Sequence, residues 1–344
     1  MISIVLPVYN EEKFIAEAIY SLLGQTFRAF ELVIIDDYST DGSVEIIRSF
    51  NDSRIRLYIN EKNEGIPATL NKGIALANYE LIARMDGDDI CHPLRLEKQV
   101  GYMESHPECA MVSSWVRLID GLGSFIRVEG TKSKYLYYNL FFECCIFHPT
   151  VMFRKEMLIK AGNYQFPFAE DYELFRRISR HFEIGGIDEP LLDYRVHGSN
   201  THLVKKKAEY MDFTEKVLRD NIGFCLGEDL RLPLSYLNCY RYDYDMLLRE
   251  KNRRSIYDCL RVLDRISKAI INIPNPNTRK EDIQYMMLYK KDFILNHLAK
   301  HLPVTERLFM AFKFKNWNLL PHFSGKIKIP LSGRFKKAFS GPHP

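Results

Sequence analysis

Hydrophobic positions follow two alternating patterns over the first hundred residues. Short runs rich in apolar residues, which are typical of strands, occupy residues 2–8, 30–35, 54–59 and 80–85, and the first of them is fully apolar apart from Ser3. Apolar residues three to four positions apart, which are typical of one helix face, fill residues 11–23, 43–50, 66–77 and 93–105. Because the connections between these segments are short, we predict parallel strands joined by right-handed crossovers.

The pattern changes after residue 110. Further strands are predicted over residues 110–119, 125–128, 148–153 and 191–196, and a helix over residues 170–181. Helical spacing then dominates residues 202–222, 254–271 and 279–301, with the Pro-Asn-Pro stretch at 274–276 separating the last two helices. The sequence therefore predicts an α/β protein with a mixed sheet, followed by a helical C-terminal extension.

Composition narrows the class of protein. The chain has 344 residues, of which 46% are hydrophobic and 27% charged, so a wholly disordered or fibrous chain is excluded. We find no run of about 18 apolar residues that could span a membrane. The first residues show no basic segment and no cleavage site of a secretory leader. The seven cysteines lack metal-binding spacing, so we expect reduced, mostly buried thiols and a cytoplasmic protein.

The net charge of +4 is unevenly distributed. Residues 301–344 hold eight basic residues and one acidic residue, interleaved with seven aromatic residues, whereas the preceding 300 residues are slightly acidic. Such a segment suits an anionic membrane surface, because rings enter the headgroup region while cations meet lipid phosphates. Two alternatives are a tail whose aromatic residues dock on the body of the protein, and a nucleic-acid contact, which we do not expect.

The loops that follow the predicted strands carry the candidate chemistry. The first strand ends in residues 7–11, Pro-Val-Tyr-Asn-Glu, where a nucleotide-binding protein of the dinucleotide or P-loop type would have a glycine-rich loop. Asp36 and Asp37 end the second strand, and residues 86–89, Asp-Gly-Asp-Asp, follow the fourth. Ligands of open α/β sheets bind beyond these strand ends, so the two acidic clusters are expected to face a ligand.

Acidic residues this close together repel one another unless a positive group lies between them. Oxygen ligands alone favour Mg²⁺ or Mn²⁺, usually shared with substrate phosphates, and Gly87 would allow the tight turn between Asp86 and Asp88. Helix capping by Asp89 ahead of Pro93 is the alternative explanation for this cluster.

Five blocks, in order, resemble the family-2 glycosyltransferases, which have the GT-A fold. The blocks are residues 7–11, residues 33–42 (Val-Ile-Ile-Asp-Asp-Tyr-Ser-Thr-Asp-Gly), the pair of blocks at 63–65 and 71–73, residues 86–89, and residues 169–171 with 194–197. The resemblance covers about residues 1–200. It implies a sugar-nucleotide donor, a divalent metal ion and transfer with inversion at the anomeric carbon.

The resemblance also implies roles for particular residues. Asp37 would accept a hydrogen bond from the base, most often uracil, Asp88 with Asp86 and His197 would hold the metal against the diphosphate, and Asp171 would be the general base with Glu170 beside it. The residues implied for binding the nucleotide sugar are Pro7, Val8, Tyr9, Glu11, Asp37, Asn71, Asp86, Gly87 and Arg195.

Several of these residues also have a purely structural explanation. His197 could be a satisfied structural histidine, Arg195 could pair with an acid instead of the diphosphate, and Glu170 could simply favour the start of its helix. His148 and Thr150 resemble a block near the acceptor, although strand-edge chemistry accounts for them equally well.

We therefore predict a GT-A domain over residues 1–222 and a basic helical extension over residues 223–344. The expected function is inverting, metal-dependent transfer from a nucleotide sugar, most often a UDP-sugar, to a hydroxyl of a glycan or polyprenyl-linked acceptor in surface polysaccharide synthesis. The alternatives are a nucleotidyltransferase, whose expected glycine-rich basic loop is missing after the first strand, and a non-catalytic sugar-nucleotide or glycan-binding module. The protein could lie peripherally on the inner face of the cell membrane.

Overall fold

The computed structural model of the chain describes residues 1–197, 207–228, 230–250 and 252–314. These residues form two compact units, Met1–Val217 with Asn275–Asn277, and Leu218–Pro274 with the residues from Thr278 to 314. The first five residues of the helix predicted over 202–222, and residues 315–344 of the basic tail, lie outside the described residues.

The first unit alternates strands and helices. Its strands are β1 (Ile2–Val8), β2 (Phe30–Asp36), β3 (Ile55–Ile59), β4 (Leu81–Arg84), β5 (Ile90–Cys91), β6 (Cys109–Asp120), β7 (Phe125–Glu129), β8 (Met152–Arg154) and β9 (Glu183–Val196). Its helices are α1 (Ile15–Leu23), α2 (Ser43–Arg48), α3 (Ile66–Leu76), α4 (Arg95–Ser105), α5 (Leu136–Asn139), α6 (Lys155–Lys160) and α7 (Glu170–His181), and α8 (Lys207–Leu226) follows.

In the described part of the chain the strands form one mixed sheet. Its order is β3-β2-β1-β4-β8-β6-β9-β5, and β7 pairs with β6 outside this path. Strands β1 to β4 are parallel, as the alternating pattern predicts, whereas β8 runs antiparallel between β4 and β6. The prediction of a mixed sheet with a helical C-terminal part is confirmed.

Both faces of the sheet are covered, which is why β1 is apolar at nearly every position. Ile4 and Leu6 pack on one face with residues of α1 and α4, and Val5 packs on the other with residues of α3 and α7. Gly73 in α3 allows close packing there, because a Cβ at that position would lie 2.4 Å from Val5 Cγ1. The helix that carries one of the sequence blocks is thereby held tightly against β1.

Two strand predictions were wrong in extent. Residues 148–153 were predicted as one strand, but His148–Thr150 form a 3-10 turn and the strand is only Met152–Arg154. Pro149 has no N–H for a sheet, and the Thr150 hydroxyl donates to Phe147 O within the turn (2.7 Å). Likewise, the strand predicted over 191–196 is the second half of β9, whose first half contains two glycines and a proline that disfavour a strand in sequence.

The second unit is helical. Its helices are α9 (Leu234–Tyr240), α10 (Asp245–Arg249), α11 (Arg253–Asn272), α12 (Lys280–Ala299) and α13 (Val304–Phe314). Helix α11 is amphipathic, with Ile256, Leu260 and Leu263 buried on one face, and the proline-containing stretch ends it as predicted. Among the helices described, none has a stretch long and apolar enough to cross a bilayer.

Candidate active site

The carboxyl ends of β1, β2 and β4 meet at one edge of the sheet, because these strands are parallel neighbours. Hydrogen bonds join the loops that follow β1 and β2: Thr40 N donates to Asn10 Oδ1 (2.8 Å), and Glu11 N donates to Ser43 Oγ (2.8 Å). Of the residues predicted around the donor, Tyr9 is half-exposed at this edge, whereas the Val8 side chain lies in the hydrophobic core. Pro7, which precedes Val8 in β1, is partly buried.

Asp37 lies at the same edge and is almost fully buried. Its carboxylate accepts hydrogen bonds from Glu64 N, Gly65 N and Asn60 Nδ2, each at 2.8 Å. Two of these donors are backbone groups at the start of α3, which a carboxylate stabilises. Asp37 thus joins the end of β2 to the start of α3, and its contact with a nucleotide base stays a prediction.

The loop after β4 brings three carboxylates together. Asp86, Asp88 and Asp89 each present an oxygen, and these three atoms lie within 4.8 Å of one another. Burial, above all, raises the pKa of Asp86 to about 6 against the lowering effect of Arg84, and burial raises the pKa of Asp89 well above its usual range. Since the charge on Asp88 adds to both shifts, the cluster is electrostatically strained without a cation.

The residues present fit a divalent cation. In the described residues, Asp89 Oδ2 is buried without a hydrogen-bond partner, and the oxygen donor set is of the kind that Mg²⁺ or Mn²⁺ prefers. His197 Nε2 lies 2.9 Å from Asp88 Oδ2, so the structure brings together all three residues predicted as metal ligands, and adds Asp89.

Glu11 lies beside this cluster. A Cβ on Gly87 would be 3.3 Å from Glu11 Cγ, so the glycine leaves room for the glutamate side chain. Burial first, and then the charges of Asp88, Asp86 and Asp41, raise the pKa of Glu11 to about 8. A fourth carboxyl group therefore faces the region that the aspartates line.

A second pair of carboxyl groups stands at the start of α7. Glu170 and Asp171 occupy its first turn, after Ala169 in the left-handed region (φ 51°). Cys144 Sγ donates to Asp171 Oδ2 at 3.6 Å. Burial, followed by the charge of Asp171, raises the pKa of Glu170 to about 8. The raised pKa favours the protonated form of Glu170 at neutral pH.

His148 and Thr150, the residues predicted near the acceptor, are both buried. His148 Nδ1 lies 3.8 Å from Glu170 Oε1, and His148 Nε2 is 2.7 Å from the Tyr164 hydroxyl. Burial, and then the charge of Arg84, lowers the pKa of His148 well below its usual range, so the imidazole is neutral. Thr150 is fully buried in the 3-10 turn, and its contact with an acceptor stays a prediction.

Two residues predicted to bind the donor make contacts with the protein itself. Asn71 pairs with the backbone of Tyr164 in both directions, through Nδ2 to the carbonyl (2.9 Å) and through Oδ1 to the N–H (3.1 Å). Arg195 is 3% exposed, and its Nε donates to the carbonyl of Asp88 (2.8 Å). Their contacts with the nucleotide sugar therefore stay predictions.

Sequence reasoning missed three residues at this edge. Arg84 is buried and forms an ion pair with Asp86. Its positive charge also acts on His148. Its signal was a basic residue at the end of an otherwise apolar strand. Cys144 and Tyr164 gave no comparable signal, because their contacts with Asp171 and His148 join segments that are 16 or more residues apart.

A mixed sheet of this order, with an aspartate cluster after β4 and a carboxyl pair at the start of α7, defines the class of protein as an enzyme with a GT-A fold. Residues 3–162 match the family described as glycosyl transferase family 2. The O-antigen biosynthesis glycosyltransferase WbnJ of Escherichia coli is 34% identical over 234 residues, which are 64% of this chain and 88% of that protein. The chain therefore belongs to glycosyl transferase family 2 and is a glycosyltransferase.

Two solved structures share the fold. S. aureus TarS 1–349 in complex with UDP-GlcNAc aligns over 91% of each chain, with a TM-score of 0.55 and 16% identity. The mannosyltransferase PcManGT from Pyrobaculum calidifontis, in complex with GDP-Man and Mn²⁺, aligns over 91% of this chain and 79% of that chain, with a TM-score of 0.50 and 14% identity. The predicted family, fold and enzyme class are confirmed, and family membership decides against a nucleotidyltransferase or a non-catalytic module.

Proposed function

We propose that this glycosyltransferase moves a sugar from a nucleotide sugar, namely a UDP-sugar, to a hydroxyl of a glycan or polyprenyl-linked acceptor. The transfer inverts the anomeric carbon and depends on Mn²⁺ or Mg²⁺. The observation that carries the proposal is the set of three aspartate oxygens within 4.8 Å of one another at the ligand-binding edge. The name of WbnJ, an O-antigen enzyme, supports a role in surface polysaccharide synthesis. GDP-Man in one related fold and UDP-GlcNAc in another support a nucleotide-sugar donor.

The aspartate cluster would hold the diphosphate through the metal ion. Asp86 and Asp88, with His197, are the proposed ligands, and Asp89 is close enough to join them. A bound cation supplies Lewis-acid stabilisation of the charge that develops on the leaving diphosphate. The nucleotide would lie along residues 7–11 and Asp37, with Gly87 keeping the loop close to Glu11.

Asp171 is the proposed general base. It takes the proton of the acceptor hydroxyl as the oxygen bonds to the anomeric carbon, and the bond from that carbon to the diphosphate oxygen breaks with its electron pair leaving on the nucleoside diphosphate. Attack opposite the leaving group inverts the anomeric centre. Glu170 is the weaker candidate, because with a pKa of about 8 it carries its own proton at neutral pH.

A nucleotide-release assay over UDP-, GDP- and dTDP-sugars, with and without Mn²⁺, tests the proposal. We expect release with one or more UDP-sugars, at least about tenfold faster than with any GDP- or dTDP-sugar, since a misfit in a polar pocket costs a few kcal/mol. Addition of a chelator should abolish release, and excess Mn²⁺ should restore it. Equal release in chelator would overturn metal dependence, and release confined to dTDP-sugars would overturn the donor.

We also propose that residues 223–344 form a separate extension, and that residues 301–344 bring the enzyme to the inner face of the cell membrane. The support is the charge of that segment and the exposed apolar residues Leu308 and Phe309 on α13. The protein should co-sediment with vesicles that contain anionic lipid at low salt, and binding should fall as ionic strength rises. Equal binding to purely zwitterionic vesicles, or none to either kind, would contradict an electrostatic membrane contact.

A further inference from the structure

Arg195 lies near the end of β9 and is 3% exposed, two residues before the candidate metal ligand His197. Its main-chain N–H donates to Asp89 Oδ1 (2.9 Å), and its Nε donates to the carbonyl oxygen of Asp88 (2.8 Å). One residue of β9 therefore holds both the backbone and a side chain of the aspartate loop, although the two segments are more than 100 positions apart in sequence.

The far end of the Arg195 side chain is held by α1 and the residue before it. Nη2 lies 2.5 Å from Glu17 Oε2, and the guanidinium carbon lies 4.6 Å from the centre of the Phe14 ring. Phe14 also packs against the His197 ring, at 5.1 Å between ring centres. A buried guanidinium needs such partners, because an unpaired buried charge is costly.

The charge of the Arg195 guanidinium is paired outside the aspartate loop. Glu17 receives an ionic hydrogen bond from the guanidinium, whereas in the aspartate loop Nε bonds to a neutral carbonyl oxygen. The Asp88 carboxylate faces His197 instead. The Arg195 N–H donates to Asp89 Oδ1, and Asp89 Oδ2 is buried without a hydrogen-bond partner in the described part of the chain, so Arg195 can orient the loop while this oxygen stays available to a cation.

We infer that Arg195, held by Glu17 and Phe14, is a positioning residue that keeps the Asp86–Asp89 loop in its ligand-binding shape before the cation and the diphosphate bind. This inference rests on the proposed function, since it assumes that the loop binds a divalent cation. Glu17 touches neither substrate nor metal in this arrangement and acts through Arg195. Direct binding of the diphosphate by Arg195 is the competing role.

The test is Mn²⁺ binding to the full-length protein without nucleotide, measured by electron paramagnetic resonance, for wild type, Glu17→Gln and Arg195→Lys. Loss of an outer contact that orients metal ligands typically weakens binding about 10–100-fold, so we expect Glu17→Gln to lose about tenfold in Mn²⁺ affinity. Arg195→Lys should lose at least as much, because an ammonium cannot reach Asp88 and Glu17 together in the geometry of a guanidinium. UDP affinity at saturating Mn²⁺ should stay within about twofold for Glu17→Gln, since Glu17 is not among the predicted nucleotide contacts.

Glu189→Gln is the matched control. Glu189 and Glu17 are equally exposed, at 55%, and each pairs with a cation, but the partner of Glu189 is Lys98 on α4. This variant makes the same change in net charge and should bind Mn²⁺ as wild type does. The double variant Glu17→Gln/Arg195→Lys should be little weaker than Arg195→Lys alone, because both changes act through one contact chain.

Two results would overturn the inference while leaving the proposed function intact. One is wild-type Mn²⁺ affinity in Glu17→Gln. The other is Arg195→Lys with normal Mn²⁺ affinity and weakened UDP binding at saturating Mn²⁺, which would assign Arg195 to the diphosphate. A wild-type protein that binds no Mn²⁺ would instead overturn the metal site and this inference together.

Discussion

Replacement of Asp171 by asparagine is expected to lower the turnover number about 10²–10⁴-fold, the contribution of a positioned general base. Asparagine has nearly the shape of aspartate and keeps an oxygen that can accept the Cys144 thiol (3.6 Å in the wild type), but it cannot take the acceptor proton. Donor affinity should be unchanged, because the change removes a proton acceptor and no proposed donor contact. Single-turnover transfer and equilibrium binding of the nucleotide measure the two effects separately.

Asp212→Asn is a suitable control for this substitution, since Asp212 is exposed on α8. We expect it to keep full activity. If Asp171→Asn retained more than about a tenth of wild-type turnover, the role of general base would belong elsewhere. A large loss of turnover in Glu170→Gln would then identify Glu170 as the general base, in spite of the burial that favours its protonated form.

Replacement of Asp88 by alanine is expected to abolish metal-dependent transfer. Loss of the cation removes several kcal/mol of stabilisation of the charge that develops on the leaving diphosphate. A loss of about 4 kcal/mol lowers the rate about 10³-fold. Mn²⁺ binding should disappear as well, because Asp88 is close to both Asp86 and Asp89 and contacts His197. Excess Mn²⁺ should restore the transfer activity of the chelator-treated wild type, whereas the variant should stay inactive.

The same substitution should leave the metal-free protein at least as stable as wild type. Asp88 adds to the unfavourable charge on Asp86 and Asp89, so its removal relieves repulsion. A thermal unfolding measurement in chelator separates loss of function from loss of fold. Activity of Asp88→Ala that still responds to Mn²⁺ would contradict the proposed ligand set.

Much of the nucleotide-binding half could be predicted because its signals are local. Strand β1 and helix α7 were predicted at the bounds observed, since an apolar run and a helical period are properties of neighbouring residues. The parallel direction of β1 to β4 followed from the short crossovers. By contrast, the first half of β9 could not be predicted, because the reason for a glycine there lies in a distant segment: a Cβ on Gly185 would lie 2.4 Å from the Tyr102 hydroxyl.

The candidate site divides in the same way. The aspartates of residues 86–89 share one loop, so their spacing alone predicted a cation site. The partners of Asn71 and Arg195 lie at least 93 positions away, and for each residue the sequence could suggest a polar contact without naming its partner. The three hydrogen-bond donors of Asp37 come from residues 60–65, which follow β3. The chain reaches the ligand-binding edge of the sheet again only after β3 is complete.

By itself the sequence determined the class of fold, the family and the loops that carry the carboxylates, because apolar periodicity and short motifs act over a few residues. The tertiary structure alone decided how those carboxylates are held. It placed Cys144 in contact with Asp171 and bound the aspartate loop to Arg195 by a hydrogen bond. Glu17 pairs with the positive charge of that arginine. Contacts of this kind depend on the packing of distant segments, in which burial sets the cost of each unpaired charge and so selects its partner.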